Sequence, residues 1–324
     1  SAPGETRVAD LLSAILLALS PRPTFMNATS LLVRATTALL LMSTLAAAKI
    51  PSSYRELARD GLVSGFGLNS GDPAAMINRI PAIDRPQYAS VEDARLRDDD
   101  LCVGIEHEGV WHFVPLFILN SHEIVNHDDG PAIAYCPLAG LNVAIDNKTY
   151  ISGLLRWDAF VLYDPDSESL ILPFDQSSLD GEQHVPLQPL ELLNWAGVQS
   201  KFPEARILSP DAHSGNRAAY GSYPRDRKLG IGHPKPGVRG RYDGRAEKTH
   251  PKEHVLIVGT PSHMLKAYPF SDLEEATDGS AQTMTDSING VEVLLSYDPE
   301  LKHAQIASPE EAQIKARAFS YYFS

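Results

Sequence analysis

Residues 121–127 read Ser-His-Glu-Ile-Val-Asn-His, and the next unusual side chain is Cys136. An imidazole, a carboxylate and a thiol are good ligands for copper, zinc or iron. The same three groups also make up a nucleophilic cysteine with its base. His122, Glu123 and Cys136 are therefore the candidate metal ligands. Glu123 and Cys136 are the candidate catalytic residues, with His122 as base and Glu123 or Asn126 orienting it in the nucleophile reading. The zinc-protease helix signature is excluded, because it needs two histidines four apart on one helical face. His122 and His127 are five apart, which leaves about 140° between them on a helix and opposite faces on a strand. They share an ion only if the chain turns between them. Asn126, Asp128, Asp129 and Gly130 place a turn directly after, so a site built from His122, Glu123 and something distant survives. A thiolate with imidazole suits copper, iron or zinc better than calcium or magnesium. The structural alternative is that His122 caps a turn, Glu123 pairs with Lys252 and Cys136 is core, in a non-catalytic binding or scaffold domain.

A second polar group is His-Pro-Lys-Glu-His, residues 250–254. Lys252 is a candidate contact for a small-molecule or anionic ligand, with Asn126 as a second ligand-binding candidate. Between Arg225 and Lys252 lie nine Lys or Arg against three acids, a basic patch able to gather anions or simply a solvated loop. The whole chain is acidic, with 41 Asp and Glu against 28 Lys and Arg and a formal charge of −13. Nonspecific nucleic-acid binding is disfavoured, since phosphates want a basic field. There are two cysteines and no Cys-x-x-Cys pair, which removes a Cys-rich structural zinc site. Cys102 reads as a buried residue of an apolar strand. No phosphate loop, EF-hand loop or nucleophile-elbow serine is present, and Gly-Ile-Gly at 230–232 is too short for a dinucleotide site.

The elements that must hold these residues are mostly strands. Residues 101–119 read as two strands around a turn at Glu108-Gly109. The runs at 131–136 and 141–146 are strands, and those at 149–156, 159–165 and 169–175 form a β-meander. The best helix lies near residues 188–200, closed by Lys201 and Pro203. A shorter helix is expected over 52–62, and residues 209–252 form a long loop. The fold class is α+β and β-rich: two related β-units and one prominent helix over residues 50–324. Residues 1–49 are a helical leader outside that domain. Within it, residues 26–48 start at Met26, pass Arg34 and an apolar stretch, and end in three alanines, the anatomy of a signal peptide. A membrane helix is one rival reading, giving membrane association through residues 8–48. The other rival is a soluble helical pair packing on the domain, with Arg34 at its edge; the favoured reading is export or membrane attachment, with the domain outside the cytoplasm: secreted, periplasmic or membrane-anchored.

The two β-units rest on internal similarity, over about 101–140 and 255–300. Residues 102–119 and then 128–137 resemble residues 256–273 and then 288–299. Each has a strand with Val-Gly, a turn, a strand ending in proline and an apolar residue, and a hairpin ending Tyr-x-Pro. The later unit has Asp298 where the first has Cys136, and it lacks the His-Glu pair. That asymmetry favours a site at residues 122–136.

Several short segments in series resemble a large, mostly exported microbial family, the domain of unknown function 3179. They are IPAIDRPQY (80–88), HEIVN (122–126), YCPL (135–138), SGLL (152–155) before a Tyr-Asp segment, a helix with Trp195 before FPEARILS (202–209), and HPKEHVLIVG (250–259). The resemblance covers roughly residues 80–270 and implies shared fold and export, with no reaction attached. Ala139 stands where the family often has a second cysteine, which counts against a two-cysteine site. SLILPFD (169–175) lacks the family's tryptophan, and IGHPKP (231–236) represents its aromatic-proline segment. The function expected on these grounds is an extracytoplasmic metal-binding protein, with a metal-dependent oxidoreductase as one form of it. The alternatives are a cysteine-nucleophile enzyme and a non-catalytic ligand-binding domain.

Overall fold

The computed structural model describes residues 61–66, 73–156, 159–215, 253–260, 263–277, 283–307 and 314–321. The leader over 1–49, the helix expected from Ser52, most of the 209–252 loop and Lys252 lie outside them.

Strands dominate what is described. The central sheet has seven strands. Its main path runs His263–Pro269, His254–Thr260, Lys315–Tyr321, Leu141–Ile145, Ala132–Cys136 and Ile124–Val125, all antiparallel. Leu187–Gln188 also pairs with Leu141–Ile145. Ala132–Cys136 and Leu141–Ile145 are buried at every position, so they read as continuous apolar runs, the pattern of strands covered on both faces. Successive side chains alternate between those faces. Ile133, Tyr135 and Ala144 enter one core. Ala134, Cys136, Leu141 and Val143 enter another, and the sheet is the wall between them.

The second core is closed by a five-stranded antiparallel meander: Val63–Ser64, Tyr150–Arg156, Ala159–Asp164, Ser169–Leu172 and Ser177–Ser178. The first core is shared with another five-stranded sheet, ordered Glu191–Asn194, Leu101–His107, Val110–Pro115, Arg206–Leu208 and Tyr88–Ser90. It also takes residues from a three-stranded sheet of Thr283–Ile288, Val291–Asp298 and His303–Ala307. The meander and the strands at 101–107, 132–136 and 141–145 match the sequence reading.

Two expectations change. The apolar run after Pro115 was expected to extend a strand, but Leu116–His122 is a helix, α1. Pro115 has φ −64° and ψ 129° and lacks an N–H, so it ends the ladder opposite Cys102 and presets the first helical turn. A short apolar run fits either state, and the proline decides between them. The prominent helix near 188–200 also shrinks. Only Trp195–Lys201, α2, is helical. Pro186 and Pro189 keep the preceding stretch extended, and Glu191–Asn194 pairs with Leu101–Gly104 instead. The Asn194 side chain accepts from Gly197 N at 2.9 Å and so fixes where α2 begins. The third helix, α3, is Phe270–Ala276, and it also follows a strand-ending proline, Pro269. Each α-helix has seven residues, so none is prominent. No described helix is long and apolar enough to cross a membrane.

The two hairpin regions thus share an order of strand, strand, proline and seven-residue helix. Their settings differ. The hairpin at 101–115 lies in a five-stranded sheet, and the one at 254–269 lies in the seven-stranded sheet.

Candidate active site

α1 ends at His122, and Glu123 turns the chain with φ 59° and ψ −27°. This left-handed position after a helix usually takes glycine, and another residue there costs about 1 kcal/mol. The Glu123 N–H bonds Leu119 O at 2.6 Å, and its carbonyl accepts from Tyr135 N at 2.7 Å. The turn lays Ile124–Val125 on the edge of Ala132–Cys136, with Ile124 opposite Ala134 and Val125 opposite Ile133. Ile83 closes that edge from outside. It forms a parallel bridge with Val125, its N–H bonds Ile124 O, and its carbonyl accepts from Asn126 N, both at 2.9 Å.

Glu123 and Cys136 line one cavity of about 60 Å³, with apolar walls that include Phe66, Ile80, Leu138 and Phe160. Gly153, also in the lining, sits at φ +79°, and a Cβ there would lie 2.5 Å from Met76 Cβ and 3.0 Å from the Phe66 ring. It stands in the bulge between Ile151 and Leu154, so both backbone and space require glycine. Burial pushes the Glu123 carboxyl up to about 8. Its side chain has no hydrogen bond among the described residues. Burial pushes the Cys136 thiol up to about 12, and the Glu123 charge adds to that, while backbone hydrogen bonds with Ala139, Phe160 and Leu138 act in the opposite direction. At neutral pH the cavity holds a carboxylic acid and a thiol, both uncharged.

His122 is turned elsewhere. Its Nδ1 lies 3.0 Å from Pro81 O and its Nε2 lies 3.2 Å from Ser214 O. A carbonyl only accepts, and a neutral imidazole carries one N–H, so one of these two contacts is a hydrogen bond; the ring faces these carbonyls and does not line the Glu123–Cys136 cavity. Among the described residues, no three His, Cys, Asp or Glu side chains form a group that could hold a metal ion. Neither cysteine forms a disulfide, and Cys102 lies in a different core, with Phe113 and Trp195. Asp298, aligned with Cys136 in the later hairpin, serves a turn by accepting from Glu300 N and Leu301 N.

Asn126 and His127 belong to a second, larger cavity of about 630 Å³, lined also by Asp84, Asp146, Lys148 and Asp166. Asn126 is buried. Its amide donates to Asp84 Oδ1 at 2.8 Å and Thr149 O at 3.0 Å, and its oxygen accepts from Thr149 N at 3.0 Å. Tyr150 OH donates to Asp84 Oδ2 at 3.2 Å. His127 Nδ1 faces Pro131 O at 2.6 Å and must carry the proton there, which leaves Nε2 to accept from Tyr88 OH at 2.6 Å. Burial lowers the His127 pKa further than the Pro131 bond raises it, so the ring is neutral.

The structure thus joins Glu123 to Cys136, and Asn126 to Asp84. Asp84, Tyr88 and Gly153 were not singled out from the sequence. Asp84 and Tyr88 stand inside the IPAIDRPQY segment, and Gly153 inside SGLL, so the segments carried a signal that residue type alone did not. No curated protein and no solved structure matches the chain. The family described as "Protein of unknown function (DUF3179)" matches residues 77–320, and with most of its length inside that match the chain belongs to this family.

Proposed function

We propose that the domain is an extracytoplasmic cysteine-dependent enzyme, with Cys136 as nucleophile and Glu123 as its proton partner. One observation carries the reading. Glu123 from HEIVN, Cys136 and Leu138 from YCPL, and Gly153 to Leu155 from SGLL all line one cavity. A structural role alone gives no reason to hold an ionisable carboxyl beside a thiol, in strained backbone, with apolar walls. The thiol is too weak an acid to ionise unaided, and Glu123, a carboxylic acid at neutral pH, is the group in the same cavity that gives up a proton to a substrate and can then take the thiol's. Moving the thiol proton to the carboxylate is uphill by several kcal/mol in the resting protein, so a bound substrate must favour the thiolate. Three backbone hydrogen bonds already support it. The metal reading is weaker. His122 does not line the cavity, so Glu123 and Cys136 are two ligands there, short of the three that a catalytic zinc site uses. Export rests on the signal-like pattern of residues 26–48, which N-terminal sequencing of protein made from Met26 would check.

The test treats the full chain with methyl methanethiosulfonate, a small uncharged thiol reagent, across a pH series, with peptide mass spectrometry separating Cys136 from Cys102. Cys136 should label, and Glu123→Gln should move its pH profile down, since the Glu123 charge no longer opposes ionisation. An unmoved profile, or a Cys136 no more reactive than Cys102, would overturn the assignment.

A further inference from the structure

From the cavity's size, walls and two functional groups we infer its substrate class: a small uncharged sulfoxide, reduced to the sulfide with Cys136 taking the oxygen. The inference rests on the cysteine-enzyme reading above.

Size comes first. A volume of about 60 Å³ is near that of two waters in the liquid, at about 30 Å³ each. It admits a methylsulfinyl end and little more. The walls come second. Phe66, Ile80, Leu138 and Phe160 offer alkyl and aromatic surface, and among the described lining residues Glu123 and Cys136 alone are titratable. The Arg79 guanidinium stacks on the Phe66 ring at 4.8 Å without entering that lining. An anionic substrate would be desolvated with no cation among the described lining residues to meet it. The third argument is the state of the pair. A peroxide is attacked by a resting thiolate, which needs a cation or helix N-terminus to hold it, and neither is among the described residues that line this cavity. A sulfoxide asks the opposite. Its oxygen is a strong acceptor that a neutral carboxylic acid activates, and its soft sulfur and alkyl groups suit an apolar chamber.

The step balances. Glu123 donates its proton to the sulfoxide oxygen, and Cys136 Sγ attacks that oxygen. The substrate's sulfur–oxygen bond breaks, its electron pair leaving with the dialkyl sulfide. The oxygen stays on Cys136 as a sulfenic acid whose hydroxyl proton came from Glu123, and the thiol proton passes to the Glu123 carboxylate. Cys136 loses two electrons and the substrate sulfur gains them. Cys102 lies in another core and Ala139 follows Leu138, so neither gives Cys136 a resolving partner. An external dithiol therefore returns the sulfenic acid to the thiol, leaving as a disulfide and water.

The experiment gives the full chain methyl p-tolyl sulfoxide, first without and then with dithiothreitol, measuring sulfide by chromatography and Cys136 by mass. Without dithiothreitol, one sulfide should form per Cys136, with one oxygen gained on that residue. With it, turnover should follow. Glu123→Gln should slow sulfide formation about 100-fold near neutral pH, and the wild-type rate should fall as pH rises through about 8. Cys136→Ser should abolish it, with thermal unfolding confirming that both variants fold. Wild-type protein whose Cys136 labels with the thiosulfonate but forms no sulfide would overturn the sulfoxide assignment while leaving the cysteine enzyme standing. A Cys136 inert to both reagents would overturn both.

Discussion

Ile124–Val125 separates two cavities of opposite character. On the Glu123 side the space is small and apolar, and the carboxyl there makes no hydrogen bond among the described residues. On the Asn126 side the space is ten times larger and lined by acids, amides and Lys148, and Asn126, Asp84 and His127 are bonded to named partners. The same short segment feeds both. The difference teaches where reactivity resides. A polar group with its partners supplied is fixed in place, whereas one left in an apolar wall has its ionisation shifted toward neutrality, where proton transfer is useful. On the proposed function, the wet side positions the segment and the dry side would do the chemistry.

The largest test of the contrast is the pH dependence of stability. Glu123 ionises at about 4.5 when unfolded and at about 8 when folded. Between those values the unfolded state sheds its proton first, so the stability that protonated Glu123 contributes is full below 4.5 and lost by about 8. Glu123→Gln should therefore gain on the wild type as pH rises through that window, by up to several kcal/mol, and level off above it. Urea unfolding at a series of pH values reads this, and parallel curves would place the carboxyl in water. On the wet side, Asn126→Ala strips partners from Asp84 and from both backbone groups of Thr149. It should cost about 3 kcal/mol, measured at one pH, without the pH-dependent gap. Gly153→Ala should cost about 2 kcal/mol through its backbone angle and its approach to Met76. It should also slow thiosulfonate labelling of Cys136 by narrowing the cavity. Smallest is His122→Ala, at about 1 kcal/mol for the lost carbonyl contacts. Labelling of Cys136 should be unchanged. Elemental analysis should find no stoichiometric copper, zinc or iron in wild type or variant; metal lost on this substitution would restore the ligand set that includes His122.

The β-rich architecture was legible because apolar runs punctuated by Gly, Pro and Asp recur at short intervals. α1 was not, since Leu116–Leu119 is equally apolar as strand or helix and only Pro115 distinguishes them. Residues 187–194 misled for a related reason: Leu190, Leu192 and Leu193 suit either period, and pairing with Leu101–Gly104 settled it. Glu123 and Cys136 stood out by type. Their cavity did not, because its walls come from Phe66, Gly153 and Phe160, far apart along the chain. Nor did the fate of His122, whose partners Pro81 and Ser214 lie 41 and 92 positions away. Spacing alone could exclude a shared ion with His127, but it could not show that the ring faces two carbonyls.

The edge of the seven-stranded sheet at Ile124–Val125 bears on how the protein behaves at high concentration. An open, apolar edge strand is a template for pairing with another chain. Here the edge is two residues long, and Ile83 occupies Ile124 O and Asn126 N. At the far edge, His263–Pro269 ends in a residue with no N–H to offer. At the Ile124–Val125 edge, the chain's own Ile83 thus takes the groups from which intermolecular β-assembly could start.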